Sequence, residues 1–390
     1  MHKIERLLQT LAPKGVGFRK LGEVLEYDQP NQYCVTSKEF DKSYPTPVLT
    51  AGKTFILGYT NEKDNIYQAS KSSPVIIFDD FTTATQWVDF PFKVKSSAMK
   101  ILLPKNPIIN IRFIFFYMQT IPYNIGGEHA RHWISRYSQL EVPIPPLEIQ
   151  QEIVTILDAF TELNTELNTE LNARKKQYEY YQNMLLDFND INQSHKDAKE
   201  RLAQKPYPKR LKTLLQTLAP KGVEFRKLGE IGEYIRGVTY KKNQEINNLE
   251  CGIKVLRANN ITLSNYLNFE DIKVINKNVK IRKEQYLKKN DILICAGSGS
   301  SEHIGKVAFI NTDFDYVFGG FMGVIRVREI NSRFVYHIFT SNIFKQYLEK
   351  SLNTTTINNL NANILQNFLI PIPPLEIQQE IVTILDQFSL

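Results

Sequence analysis

Three stretches of the chain carry residue types that could do chemistry. Gly297-Ser298-Gly299-Ser300-Ser301, followed by Gly305-Lys306, has the composition of a phosphate-cradling loop. Its glycine spacing is wrong, and Val307 stands where Ser or Thr would hold magnesium, so a tight turn ahead of a strand is expected instead. His129 and His132 could ligate a metal, but the sequence places no third ligand beside them. Asp79 and Asp80 could open a magnesium-dependent nuclease site, yet no downstream Glu-x-Lys completes it. The chain also lacks an Asn-Pro-Pro-aromatic signature and the glycine-rich cofactor loop of amino-methyltransferases. No catalytic residue, metal site or cofactor of its own is therefore expected.

The remaining chemistry is recognition. Polar loops interrupt the strand-like runs at Asp79 to Trp87, His129 to Trp133, Arg257 to Asn260 and Asn353 to Asn359. Arg pairs with guanine, Asn or Gln pairs with adenine, and Lys or Arg holds phosphates. Residue type and loop position nominate Lys53, Thr82, Thr83, Gln86, Arg131 and His132 in the first half of the chain. In the second half they nominate Arg236, Tyr240, Arg257, Asn259, Asn260, Ser300, Asn358 and Asn359. Such residues are common in any loop, so the elements that hold them must decide.

Those elements are organised by two long repeats. LLQTLAPKGVGFRKLGE at Leu7 to Glu23 recurs at Leu214 to Glu230 with one change, Gly17 to Glu224. PIPPLEIQQEIVTILD at Pro143 to Asp158 recurs unchanged at Pro371 to Asp386. Between these borders lie two unlike inserts, 24–142 and 231–370. Drift after duplication would blur frame and insert alike, whereas here the frames are nearly perfect and the inserts unlike. The order is that of one scaffold presenting two modules free to recognise different things.

Pro143, Pro145 and Pro146 forbid helix up to the second border. Beyond it, apolar residues at Ile149, Ile153, Ile156, Phe160, Leu163, Leu167 and Leu171 keep the four-and-three steps of a helix packed lengthwise on another. The pattern resumes at Tyr178 and runs to Phe188, giving a rod of roughly 60 Å. Within it TELN occurs three times, from Thr161 to Asn172. Each copy lengthens the rod by about 6 Å and turns its far end by about 40°, as an adjustable spacer would. Strands are predicted at Val75–Phe78, Phe92–Lys95, Met99–Leu103, Ile253–Arg257, Asp291–Cys295, Lys306–Ile310 and Val324–Val327. Helices are predicted at Asn110–Thr120 and Ser332–Lys350.

Composition agrees and excludes alternatives. With 42% apolar and 23% charged residues the 390-residue chain is globular, neither disordered nor fibrous. Three dispersed cysteines make no disulfide framework or zinc site. The apolar run around Ile108 to Met118 is too short to span a bilayer, and the amino terminus lacks a secretory core, so a cytoplasmic location is expected. The net charge of +7 suits a polyanionic partner. Ala173 to Lys212 holds ten basic against five acidic residues and reads as a solvated link.

The repeated frames, the order of the parts, and the phrases KKNDILICAGSGSSEHIGKVAFI and YPTPVLTAGKTFILGYTNE closely resemble the specificity subunit of type I restriction-modification systems. The resemblance implies an α+β chain, two mixed α/β target recognition domains separated by long helices packing as an antiparallel coiled coil. The parts would be 1–142, a first recognition domain; 143–213, the central helix and basic link; 214–370, a second recognition domain; and 371–390, a shorter terminal helix. It implies that each module reads one half of a split double-stranded DNA target. It further implies binding to modification subunits carrying S-adenosylmethionine and to a restriction subunit using ATP and magnesium. One departure stands out: the second rod stops at Leu390, roughly 15 residues against about 42 in the first. A shortened or switched form, or a scaffold completed by a second copy of the chain, are the outcomes this leaves open. Two other classes remain to be separated, a nuclease or methyltransferase with its site hidden in a module, and a coiled-coil scaffold that binds only protein.

Overall fold

The computed structural model describes residues 3–50, 54–122, 131–188, 206–246, 251–298, 303–352 and 360–388. The chain divides into two compact units, Met1–Asn168 and Thr169–Leu390. An unbroken helix, Leu147–Leu186, runs from the first into the second. It realises the predicted rod and, with the two mixed units, the expected α+β class.

In the first unit a four-stranded antiparallel sheet runs in the order 25–28, 99–104, 75–79, 85–88. The strand Val75–Asp79 is buried throughout, which explains why it reads as a continuous apolar run rather than an alternating one. Its side chains still alternate between faces. Ile76 and Phe78 pack with Phe113, Ile114 and Trp133 of the helical layer, while Val75 and Ile77 pack with Leu49 and Val94 of a three-stranded sheet.

The second unit repeats the plan with different residues. Strands 232–236, 322–327, 292–295 and 307–309 form the four-stranded sheet. Ile292 and Ile294 face the helices, and Leu293 and Cys295 face a second sheet containing Leu256 and Phe318. The predicted helix from Ser332 to Lys350 is two helices, Ser332–Phe339 and Asn342–Leu352. Thr340 and Ser341 divide them, their hydroxyls donating to the carbonyls of His337 (3.1 Å) and Ile338 (2.7 Å). Such back-bonding offers the backbone an alternative to continuing the helix.

The frame segments form a pairing that the sequence reading did not include. Gly17–Lys20 pairs antiparallel with Glu141–Ile144, and Glu224–Lys227 pairs identically with Leu369–Ile372. Each insert therefore begins and ends on one two-stranded ribbon, which closes the module at its base.

A shared latch then fastens each module to the helix that follows. Asn110 caps Ile111–Gln119 by accepting the N–H groups of Arg112 and Phe113, and its own N–H donates to Gln150 Oε1 at 2.8 Å. Asn331 does the same for Ser332–Phe339, donating to Gln378 Oε1 at 2.9 Å. Arg112 reaches Asp158 and Arg333 reaches Asp386, their Nε–Oδ1 distances being 2.8 and 3.0 Å. Gln150, Asp158, Gln378 and Asp386 belong to the repeated frame, and the Asn-x-Arg-Phe at 110–113 and 331–334 is a piece common to both variable modules that meets it.

Candidate nucleic-acid interface

In the second unit a cleft of about 1150 Å³ opens between the two sheets, lined among others by Arg236, Tyr240, Lys242, Arg257, Asn259 and Lys273. The backbones at its base approach closely. A Cβ on Gly237 would lie 2.0 Å from the Gly319 carbonyl oxygen, so no other residue fits there. Val238 N–H donates to Phe318 O at 2.7 Å and pins the same crossing.

Arg257 and Asn259 are held by one carboxylate. Asp271 Oδ2 accepts from Arg257 Nη2 at 2.7 Å and from Asn259 Nδ2 at 2.8 Å. This fixes two potential base-edge donors in a shared orientation, lowering the conformational entropy lost on binding. Partial burial raises the Tyr240 phenol, with the charge of Glu245 acting in the same sense, so it remains a neutral donor. The fold thus brings Arg236, Tyr240, Arg257 and Asn259 into one cleft.

Asn260, expected at the surface, is buried. It is 1% exposed, its Oδ1 accepting the Arg257 N–H at 2.8 Å and its Nδ2 donating to the carbonyls of Asn268 and Asp271. It shapes the loop that presents Arg257 rather than facing solvent. Lys306 is likewise structural. Its buried ammonium donates to the Ala258 and Ile261 carbonyls, in keeping with a turn rather than a phosphate loop. Ser300, Asn358 and Asn359 lie outside the described residues.

In the first unit the polar run from Asp79 is a β-hairpin turn rather than an open loop. Thr82 Oγ1 donates to Asp79 Oδ2 within this turn. Thr83, at φ 60°, is 7% exposed and closes the turn through its N–H to Asp79 O at 2.9 Å. His132 is also buried, at 2%. Thr83 and His132 are therefore not surface readers. Gln86 and Arg131 are exposed, Thr82 is exposed in the turn, and Lys53 lies outside the described residues.

The turn and the helix His132–Ser135 come together over a buried charge. His132 N–H donates to Asp80 O at 2.9 Å and Trp133 N–H to Asp80 Oδ1 at 2.8 Å. Lys100 Nζ lies 3.8 Å from Asp80 Oδ2, both side chains at most 3% exposed. Burial lowers the Lys100 pKa against the opposing charge of Asp80. Neither ring nitrogen of His132 has a hydrogen-bond partner among the described residues.

Backbone hydrogen bonds align the two modules here. Asp80 N–H donates to Ala98 O as Ala296 N–H donates to Phe321 O, and His132 N–H to Asp80 O as Leu360 N–H to Ala296 O. The positions holding Asp80, Lys100 and His132 in one module thus hold Ala296, Gly323 and Leu360 in the other. Tyr27 and Tyr234 occupy one position in both, the first with Lys100 4.5 Å from its ring centroid, the second against Gly323. At these three positions one scaffold therefore carries charged and polar side chains in the first module and apolar residues in the second. Among the described residues no group of three or more His, Cys, Asp or Glu could hold a metal.

Two mixed modules with unlike sheet ends are thus borne by repeated frames. Residues 13–176 and 220–390 each match the type I restriction modification DNA specificity domain, and the chain belongs to that family. It is a non-catalytic subunit whose function is DNA sequence specificity. It is 36% identical to the Escherichia coli type I restriction enzyme EcoR124I/EcoR124II specificity subunit, over all of this chain and 90% of that one. A putative type I restriction enzyme specificity subunit of Haemophilus influenzae is 29% identical over 86% of this chain and 77% of its own. The crystal structure of the type I restriction-modification S subunit from M. genitalium shares the fold, with a TM-score of 0.60 and 14% identity, covering 95% of this chain and 90% of that one.

Proposed function

We propose that this chain reads a bipartite, asymmetric double-stranded DNA target, one module per half-site, with the helix Leu147–Leu186 setting the unread gap. The observation that carries the reading is the shared latch: identical frame residues hold two modules whose sheet ends differ in charge. Recognition domains at 1–142 and 214–370, the spacer and basic link at 143–213 and a short frame helix at 371–390 follow from the same division. Exposed Thr82, Gln86 and Arg131 serve the first half-site, with Lys53. Arg236, Tyr240, Arg257 and Asn259 serve the second, with Ser300, Asn358 and Asn359.

The chain acts as the specificity component of a cytoplasmic assembly with modification subunits that supply S-adenosylmethionine and a restriction subunit that supplies ATP and magnesium. The spacer seam supports a helical partner, because Phe160, Leu163, Leu167 and Leu171 are 41–59% exposed. A modification subunit or a second copy of the chain would cover them.

Methylation-site sequencing in cells expressing this chain with its modification subunit tests the reading. The expected motif has two unlike halves around a fixed gap. A continuous palindrome, or methylation without sequence preference, overturns it.

A further inference from the structure

Phe321 is the most exposed large apolar side chain among the described residues, at 73%. Single exposed apolar residues are ordinary, but four observations set this one apart. Its backbone is fixed, the carbonyl accepting the N–H groups of Ala296 and Gly297 at 2.9 Å each. The next residue, Met322, is 1% exposed and opens the strand 322–327, so the ring cannot turn inward without breaking that strand. The ring also lines the cleft that holds Arg236 and Arg257, and Arg236 Nε donates to the carbonyl of the preceding Gly320 at 3.4 Å. Finally, the aligned position in the first module is Ala98, so the ring belongs to one module and not to the scaffold.

An apolar ring on a rigid strand end, between cations that would engage phosphates or guanine, calls for an apolar group on a base edge. In the major groove thymine alone presents a methyl, at C5, where cytosine has only a C–H; the hydrogen-bonding groups there are donors and acceptors. We propose that Phe321 is a specificity-determining residue of the second module and packs against a thymine methyl of its half-site. This rests on the reading of the cleft as the DNA-contacting surface.

The test uses the full chain with its modification subunit, and duplexes carrying the target mapped by methylation sequencing. Thymines of the second half-site are replaced one at a time by uracil, which removes only the methyl. For the unsubstituted complex one such replacement should weaken binding about four-fold, the worth of one methyl group taken from water. Phe321→Ala should bind the thymine duplex at least that much more weakly and be indifferent to the uracil. A second half-site without thymine, unchanged affinity in Phe321→Ala, or a retained uracil response in that variant overturns the assignment. Arg257→Ala separates the two levels. If it weakens binding while Phe321→Ala does not, the ring is uninvolved in an otherwise valid interface. If neither variant changes binding, the cleft itself is not the DNA surface.

Discussion

Arg112 of the first module donates from Nε to Asp158 of the invariant frame at 2.8 Å, while its guanidinium carbon lies 4.5 Å from the Trp87 ring centroid and 4.7 Å from that of Phe116. Frame and insert therefore meet through a cation that serves an ion pair and an aromatic cluster at once. Arg333 repeats this, reaching Asp386 and lying 4.9 Å from the ring centroids of both Phe309 and Tyr336.

Arg112→Ala should destabilise the first unit by about 1–2 kcal/mol, most of it from lost cation–π contact and packing, because Asp158 is half-exposed. Hydrogen exchange resolved by unit measures it, and protection in the second unit should be unaffected. Equal loss in both units would show that the latch is not local.

Asp80→Ala leaves Lys100 buried without its carboxylate and removes the acceptor of the Trp133 N–H. Removing one partner of a buried pair costs about 3–5 kcal/mol, so the first unit should unfold well before the second on heating. Lys100→Met with Asp80→Asn, which removes both charges at similar volume, should recover most of that loss. A calorimetric trace of the double variant no better than that of Asp80→Ala would contradict this.

His337 makes second-unit stability depend on pH. It is fully buried, with Asp386 Oδ1 2.8 Å from Nε2 and Tyr178 Oη 3.2 Å from Nδ1, and Arg333 also acts on it. Burial lowers its pKa below 6.5 despite the pull of Asp386. With the folded value depressed, the unfolded chain binds the extra proton first. The contribution is complete above about pH 6.5 and is lost as pH falls through the folded pKa. His337→Phe, which places in the second module the residue found as Phe116 in the first, should flatten denaturant midpoints between pH 5 and 7. An unchanged slope in the variant would assign the pH dependence to other groups.

Adding one TELN copy to the run at Thr161 to Asn172 lengthens the spacer by about 6 Å. Against about 3.4 Å per base pair, the gap of the methylated motif should grow by one or two base pairs while both half-sites stay the same. Motif mapping of such a variant gives the answer directly, and a constant gap would remove the helix as the ruler.

Much of this was written in one dimension. Frames repeated at 7–23 and 214–230, and at 143–158 and 371–386, declare two modules on one scaffold. The apolar period of 3.6 declares the long helix, since a helix buries a stripe that depends only on local spacing. What the tertiary structure decided were meetings between residues distant along the chain. Asn110 with Gln150, Arg112 with Asp158, and Asp80 with Lys100 and His132 are pairings of this kind. A clue to the latch existed, Asn-x-Arg-Phe standing in both inserts, but only packing gives it meaning. Exposure followed the same rule. Thr83, His132 and Asn260 share residue type with the exposed candidates, yet the fold buries them, because a polar group whose hydrogen bonds are met by turn and loop backbone, or whose neighbours close over it, is withdrawn from solvent whatever its chemistry.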